Sequence, residues 1–162
     1  YITCPYELYE WITNEKAMKI KFKNLPYRFE IISDKLINDS KSTNFHSLSY
    51  ALDKIQNYFH LKYILIVCGD PKKEQNRKII VDGPVAIYIF GHHAKEIDKC
   101  ISHNNKKCFE TLGDIFKFIE IKGIPHNILF SPGYPSGKDY KDFNERGEAF
   151  NFYAKKYINE YK

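Results

Sequence analysis

The feature that most narrows the folds open to this chain is the run Tyr63-Ile64-Leu65-Ile66-Val67-Cys68, halted at once by Gly69-Asp70-Pro71. A strand with one wet face alternates apolar and polar residues. An unbroken apolar run of this length marks a strand covered on both faces, the usual state of strands in α/β sheets. Val85-Ala86-Ile87-Tyr88-Ile89-Phe90 repeats the pattern, and residues 127–130 give a shorter version of it. Covering such strands takes amphipathic helices. Leu48, Ala51, Leu52, Ile55, Tyr58 and Phe59 recur at helical spacing behind the polar, cap-forming loop 38–44, and make the clearest such helix.

The other elements follow from local signals. Ala94, Ile97 and Ile101 continue a short helix after Gly91-His92-His93. Thr111-Leu112-Gly113-Asp114 has the form of a capping box, Leu112, Ile115, Phe116 and Ile119 supply a buried stripe, and Gly123 suits the helix end. Phe150, Tyr153, Ala154, Tyr157 and Tyr161 give the stripe of a C-terminal helix. Ile79-Ile80-Val81 and residues 85–90, separated by Asp82-Gly83, read as two strands joined by a tight turn, and residues 104–107 as an exposed turn. Near the start, Pro5 opens a helix over residues 5–12 that buries Leu8, Trp11 and Ile12. Alternation of Met18, Ile20 and Phe22, then Tyr27, Phe29 and Ile31, reads as a hairpin over 18–32. The expectation is one domain over 1–162, with an N-terminal helix and hairpin over 1–33 and an α/β core over 45–162. Its fold class is α/β, a three-layer sandwich with a mixed, largely buried sheet flanked by about four helices.

Composition removes several classes. The 162 residues are enough to bury a core, and 43% hydrophobic with 28% charged residues excludes a disordered chain. No apolar run approaches the roughly 20 residues of a membrane-spanning helix, so no membrane partner is expected. The net charge of +5 invites a polyanion ligand, yet only Arg28, Arg77 and Arg146 among 25 basic residues are arginine. Phe, Ile, Met, Tyr, Asn and Lys fill half of the positions, which fits an A/T-rich coding sequence, so many lysines read as a solvated surface. Four cysteines are too few for a disulfide scaffold, and Cys68 reads as a small buried hydrophobe. With no charged-then-apolar targeting segment, a cytoplasmic setting is expected.

Ligands of open α/β sheets gather beyond the carboxyl ends of the strands. Three expected strands end in polar loops: Cys68-Gly69-Asp70, Phe90-Gly91-His92-His93 and Phe130-Ser131-Pro132. If they run parallel, Asp70, His92 or His93, and Ser131 meet on one rim, where Gly69 and Gly91 let backbone approach a ligand. A histidine there would act as general acid/base, and Asp70 would orient it or hold a divalent cation. Lys95 and Lys138 would neutralise phosphate charge, and Ser131 would hold an oxygen. Cys100-x2-His103-x4-Cys108 copies part of a zinc-knuckle spacing, but Cys100 adjoins a helical stripe, which argues against structural zinc.

Three families offer partial likenesses. His93-Ala94-Lys95 resembles a phospholipase-D-type motif, except that Cys100 stands where its aspartate belongs. The element order over 47–130 is similar to a restriction-nuclease core, with Asp82 and Lys95 available but His93 at the second acid's position. Tyr134-Pro135-Ser136 resembles a loop of the uracil-DNA glycosylase superfamily in which a histidine precedes the proline.

Two functional readings stay open. One is a basic α/β domain binding a phosphate-bearing ligand, nucleotide or nucleic acid, with phosphoester hydrolase or transferase chemistry. The other is a non-catalytic module of a larger protein that docks a protein partner through exposed tyrosines, with Tyr134 and Tyr140 the candidates and Tyr153 and Tyr157, on an apolar stripe, read as core.

Overall fold

The computed structural model describes residues 10–16, 25–58, 62–75, 77–123 and 127–160. Six strands form one mixed sheet in the order β1-β2-β8-β3-β5-β7, and β4 and β6 make a separate two-stranded ribbon. The strands are β1 (Glu30–Ser33), β2 (Leu36–Asn38), β3 (Tyr63–Cys68), β4 (Ile79–Ile80), β5 (Ala86–Phe90), β6 (Ile101–Ser102), β7 (Lys106–Phe109) and β8 (Asn127–Gly133). Only the β1–β2 pair is antiparallel; β2, β8, β3, β5 and β7 run parallel, so their carboxyl ends share one edge.

The helices are α1 (Phe45–Tyr58), α2 (Ala94–Cys100), α3 (Leu112–Lys122) and α4 (Phe143–Glu160). Alternation along each central strand divides the apolar residues between two layers. Leu65 and Val67 of β3, Ile87 and Ile89 of β5 and Leu129 of β8 pack with Leu48, Ala51 and Ile55 of α1 and Ile97 of α2. Ile64 and Ile66, Tyr88 and Phe90, and Ile128 and Phe130 meet Ile115, Phe116 and Ile119 of α3 and Phe150 and Ala154 of α4. The result is the expected three-layer α/β sandwich. The capping box of α3 forms as read, with Thr111 Oγ1 accepting from the Asp114 N–H and Asp114 accepting from the Thr111 N–H, and Gly123 closes the helix at φ +58°.

Several local expectations are corrected. β4 does not pair with β5; it lies parallel to β6, because Pro84 cannot donate to a ladder and the chain enters β5 from a different direction. The expected turn 104–107 leads into β7, a lysine-bearing edge strand parallel to β5. The second strand of the expected hairpin starts only at Glu30, since Tyr27 and Phe29 are left-handed (φ +59° and +47°), and its partner is β2. Its first strand, and most of the helix expected over 5–12, fall outside the described residues. Residues 10–13 are helical, but Trp11 and Ile12 are 76% and 66% exposed and join neither apolar layer. No described helix is long and apolar enough to cross a membrane.

Candidate anion-binding site

The segment between β2 and α1, Asn38-Asp39-Ser40-Lys41-Ser42-Thr43-Asn44, is polar throughout, yet Asn38, Asp39, Ser40 and Ser42 are buried. Buried polar groups must find partners, and here they find them on distant parts of the chain. Asn38 Nδ2 donates to Gly147 O (2.9 Å) and Asn151 Oδ1 (2.7 Å) in α4. The Asp39 N–H donates to Phe130 O (2.7 Å), Lys41 N–H to Tyr27 O (2.9 Å), and Gly133 N–H to Ser42 O (3.1 Å). The segment is thereby fixed as a ridge on the carboxyl edge of the sheet, with an open hollow on either side.

The first hollow, about 560 Å³, is walled by Lys41 and Thr43 of the ridge, Asp70 and Lys73 after β3, and Pro135, Ser136, Gly137, Lys138, Lys141, Asp142 and Phe143 after β8. Four lysines face two carboxylates, and both carboxylates are engaged locally. Asp70 Oδ1 accepts from the Lys72 N–H (3.0 Å), capping the 3-10 turn Pro71–Glu74. Asp142 Oδ1 accepts from the N–H groups of Asn144 and Glu145 at the start of α4, which holds its carboxyl below the ordinary range. Lys41 Nζ sits 3.4 Å from the centre of the Phe143 ring, held over its face. Gly69 makes the close approach between walls possible: at φ +120°, a Cβ there would lie 2.1 Å from Pro135 O, which accepts the neighbouring Asp70 N–H at 2.9 Å. The hollow has the chemistry of a site for a small anion.

The second hollow, about 420 Å³, is lined by Arg28, Phe29, Asp39, Lys41, Ser42, His46, Ser47, Tyr50 and Lys54. Lys54 Nζ lies 4.1 Å from the centre of the Phe29 ring. Asp39 accepts from Ser131 Oγ (2.9 Å) and from the Phe29 N–H (3.0 Å). Burial nonetheless pushes its carboxyl up to about 6, against the opposing pull of those bonds and of Arg28 and Lys54. The buried Ser42 hydroxyl, which lines this hollow, has no hydrogen-bond partner among the described residues.

The three loops expected to converge do leave β3, β5 and β8 at one edge, and the loop after β8 touches the other two. Besides the Asp70–Pro135 bond, Asp139 Oδ1 accepts the His92 N–H at 2.9 Å, and Gly91 leaves the room for that carboxylate. Their polar side chains divide among different surroundings. Asp70 and Lys138 line the first hollow. His92 and Lys95 line a separate hollow with Gly91 and Cys108. His93 is buried with Nδ1 3.1 Å from Glu96 Oε2, and Ser131 is buried against Asp39. Tyr134, expected as an exposed ring, is fully buried with its edge on Phe45, and Tyr140 packs against Phe90. Among the described residues, no three His, Cys, Asp or Glu side chains gather as a metal site. Both ring nitrogens of His103 lie 3.0 Å from backbone carbonyls, those of Asn105 and Pro84. Lys41, Thr43 and Lys73 carried no site signal in the sequence, and Arg28 and Ser136 were noted without being assigned to this site; the signal available was the density of short polar side chains in 38–44.

No protein-family model matches the chain. Its sequence is 36% identical over 144 residues to a UDP-N-acetylmuramoylalanine--D-glutamate ligase of Petrotoga mobilis, covering 83% of this chain and 32% of that protein. The relatives are ligases. A protein of the same name from Buchnera aphidicola subsp. Baizongia pistaciae is 32% identical over 138 residues, covering 80% of this chain and 30% of its own length. One from Leptospira interrogans is 30% identical over 158 residues, covering 80% and 34%. The chain spans about a third of the length of these curated relatives. A nucleotide-linked substrate stands in their name; phosphoester hydrolysis and nucleic-acid binding draw no support from them.

Proposed function

We propose that this chain is the part of a D-glutamate-adding ligase that receives D-glutamate, in the hollow of Lys41, Lys73, Lys138 and Lys141, while the Arg28–Lys54 hollow takes a phosphate-bearing group. A ligase with the relatives' name joins D-glutamate to UDP-N-acetylmuramoylalanine, so it must hold a small dicarboxylate beside a phosphate-rich partner. The observation that carries the reading is the pair of basic hollows sharing one wall, with Lys41 lining both.

The residues have distinct tasks in this reading. The lysines attract the two carboxylates, and the Thr43 and Ser136 side chains offer the hydroxyls that would orient them. The rigid ridge keeps the amino acid and the phosphate-bearing group at fixed separation, which lowers the entropic barrier to joining them. Arg28 and Lys54 would hold phosphate oxygens in the second hollow, beside the Ser42 side chain. The remaining substrate contacts belong to the part of the protein outside this chain.

Calorimetric titration of the chain with D-glutamate, with D-alanine as control, tests the proposal. D-Glutamate binds saturably, D-alanine does not at equal concentration, and Lys73→Ala weakens binding by about tenfold, or 1.4 kcal/mol. Equal heats for the two amino acids, or an unchanged Lys73→Ala, refute it.

A further inference from the structure

Arg146, in the first turns of α4, is fully buried. Its guanidinium fans out over three neutral acceptors on two segments: Nε donates to Ser40 Oγ (3.2 Å), Nη2 to Ser40 O (2.8 Å) and Nη1 to Tyr134 O (3.0 Å). Burial pushes the Cys68 thiol at the end of β3 up to about 12, and the positive charge of Arg146 pulls against that shift. Ser40 Oγ in turn donates to Phe143 O at 2.8 Å. Among the described residues no carboxylate forms an ion pair with this arginine. Burying an uncompensated charge is costly, and a well-packed apolar residue commonly serves stability better.

Both segments it holds continue directly into a wall of the lysine hollow, and a third wall is tied to them. Ser40 precedes Lys41, Tyr134 precedes Pro135 and Ser136, Phe143 itself lies beneath the Lys41 ammonium, and the Asp70 N–H donates to Pro135 O. A planar fork fixes the spacing and angle of three acceptors at once, which a flexible ammonium cannot reproduce. A cation that no carboxylate of the described residues pairs with also adds to the positive potential of the hollow in front of it.

We infer that Arg146 is the positioning residue of the anion-binding hollow: it sets the distance between the walls that carry Lys41, Asp70 and Ser136, and it reinforces their attraction for an anion. The inference rests on the D-glutamate reading for its ligand but not for its geometry.

The test compares the unaltered chain with Arg146→Lys, Ser40→Ala and a core control, Ile119→Val in α3. Two quantities are read: D-glutamate affinity by calorimetry, and amide hydrogen exchange at Asp70 and Gly133, whose N–H groups cross between walls to Pro135 O and Ser42 O. Arg146→Lys keeps the charge but lowers affinity at least tenfold and speeds exchange at both amides. Ser40→Ala, the milder change, lowers affinity a few-fold, and it decides the matter if Arg146→Lys does not fold. Ile119→Val leaves both readouts as they were. Native affinity and exchange in Arg146→Lys or Ser40→Ala, or equal losses in Ile119→Val, overturn the inference. An unaltered chain that ignores D-glutamate overturns the ligand reading alone, and the exchange rates then decide whether Arg146 holds the walls.

Discussion

Replacing Asp39 by asparagine should change how stability depends on pH, in a direction the structure fixes. The carboxyl is pushed up from 3.8 to about 6, chiefly by its burial within the ridge. A group that binds its proton more tightly when folded stabilises the fold while protonated, and that contribution is complete below the unfolded value near 3.8. It is lost as pH rises through about 6, because the folded state then keeps a buried charge that the unfolded chain solvates freely. The shift corresponds to a loss of about 2.4 kcal/mol between pH 4 and pH 7. Asparagine cannot titrate and can still accept a bond from Ser131 or Phe29. Urea unfolding of both proteins at several pH values isolates the effect, since other groups cancel in the difference. The native chain should lose about 2.4 kcal/mol relative to Asp39→Asn across that interval. A constant offset refutes the assignment, and a native chain that gains on the variant as pH rises means Arg28 and Lys54 outweigh desolvation.

Three further outcomes follow from particular contacts. Gly69→Ala forces a side chain onto Pro135 O at a positive φ, and should cost about 3 kcal/mol by urea unfolding. Thr111→Ala removes half of the α3 capping box and should cost about 1 kcal/mol, read the same way. Lys138→Ala should leave stability unchanged and flatten the salt dependence of D-glutamate binding measured by calorimetry, since Lys138 is exposed at the mouth of the first hollow.

The parts of the fold legible in the sequence were those whose environment is uniform along the element. β3 and β5 are apolar on both faces because both faces are covered, and α3 carries its start and stop signals within a dozen residues. β7 escaped because Lys106, Lys107 and Cys108 on an edge strand carry no apolar pattern; its evidence is the ladder to β5. β2 escaped because three residues are too few to show a period, and its burial comes from β8, some ninety positions away. The ridge was illegible for the same reason. Asn38 finds Asn151, and Arg146 finds Ser40, across more than a hundred residues, so polar side chains that read as a solvated loop are interior. The scarcity of arginine argued against anion binding, yet Arg28 lines one hollow and Arg146 sits behind the other.

The most direct measurement is a heteronuclear NMR titration of the chain with D-glutamate. The account predicts saturable shifts concentrated at Lys41, Thr43, Lys73, Ser136 and Gly137, with His92 and His103 unmoved. Shifts centred on His92 and Lys95, or none that saturate, would contradict it.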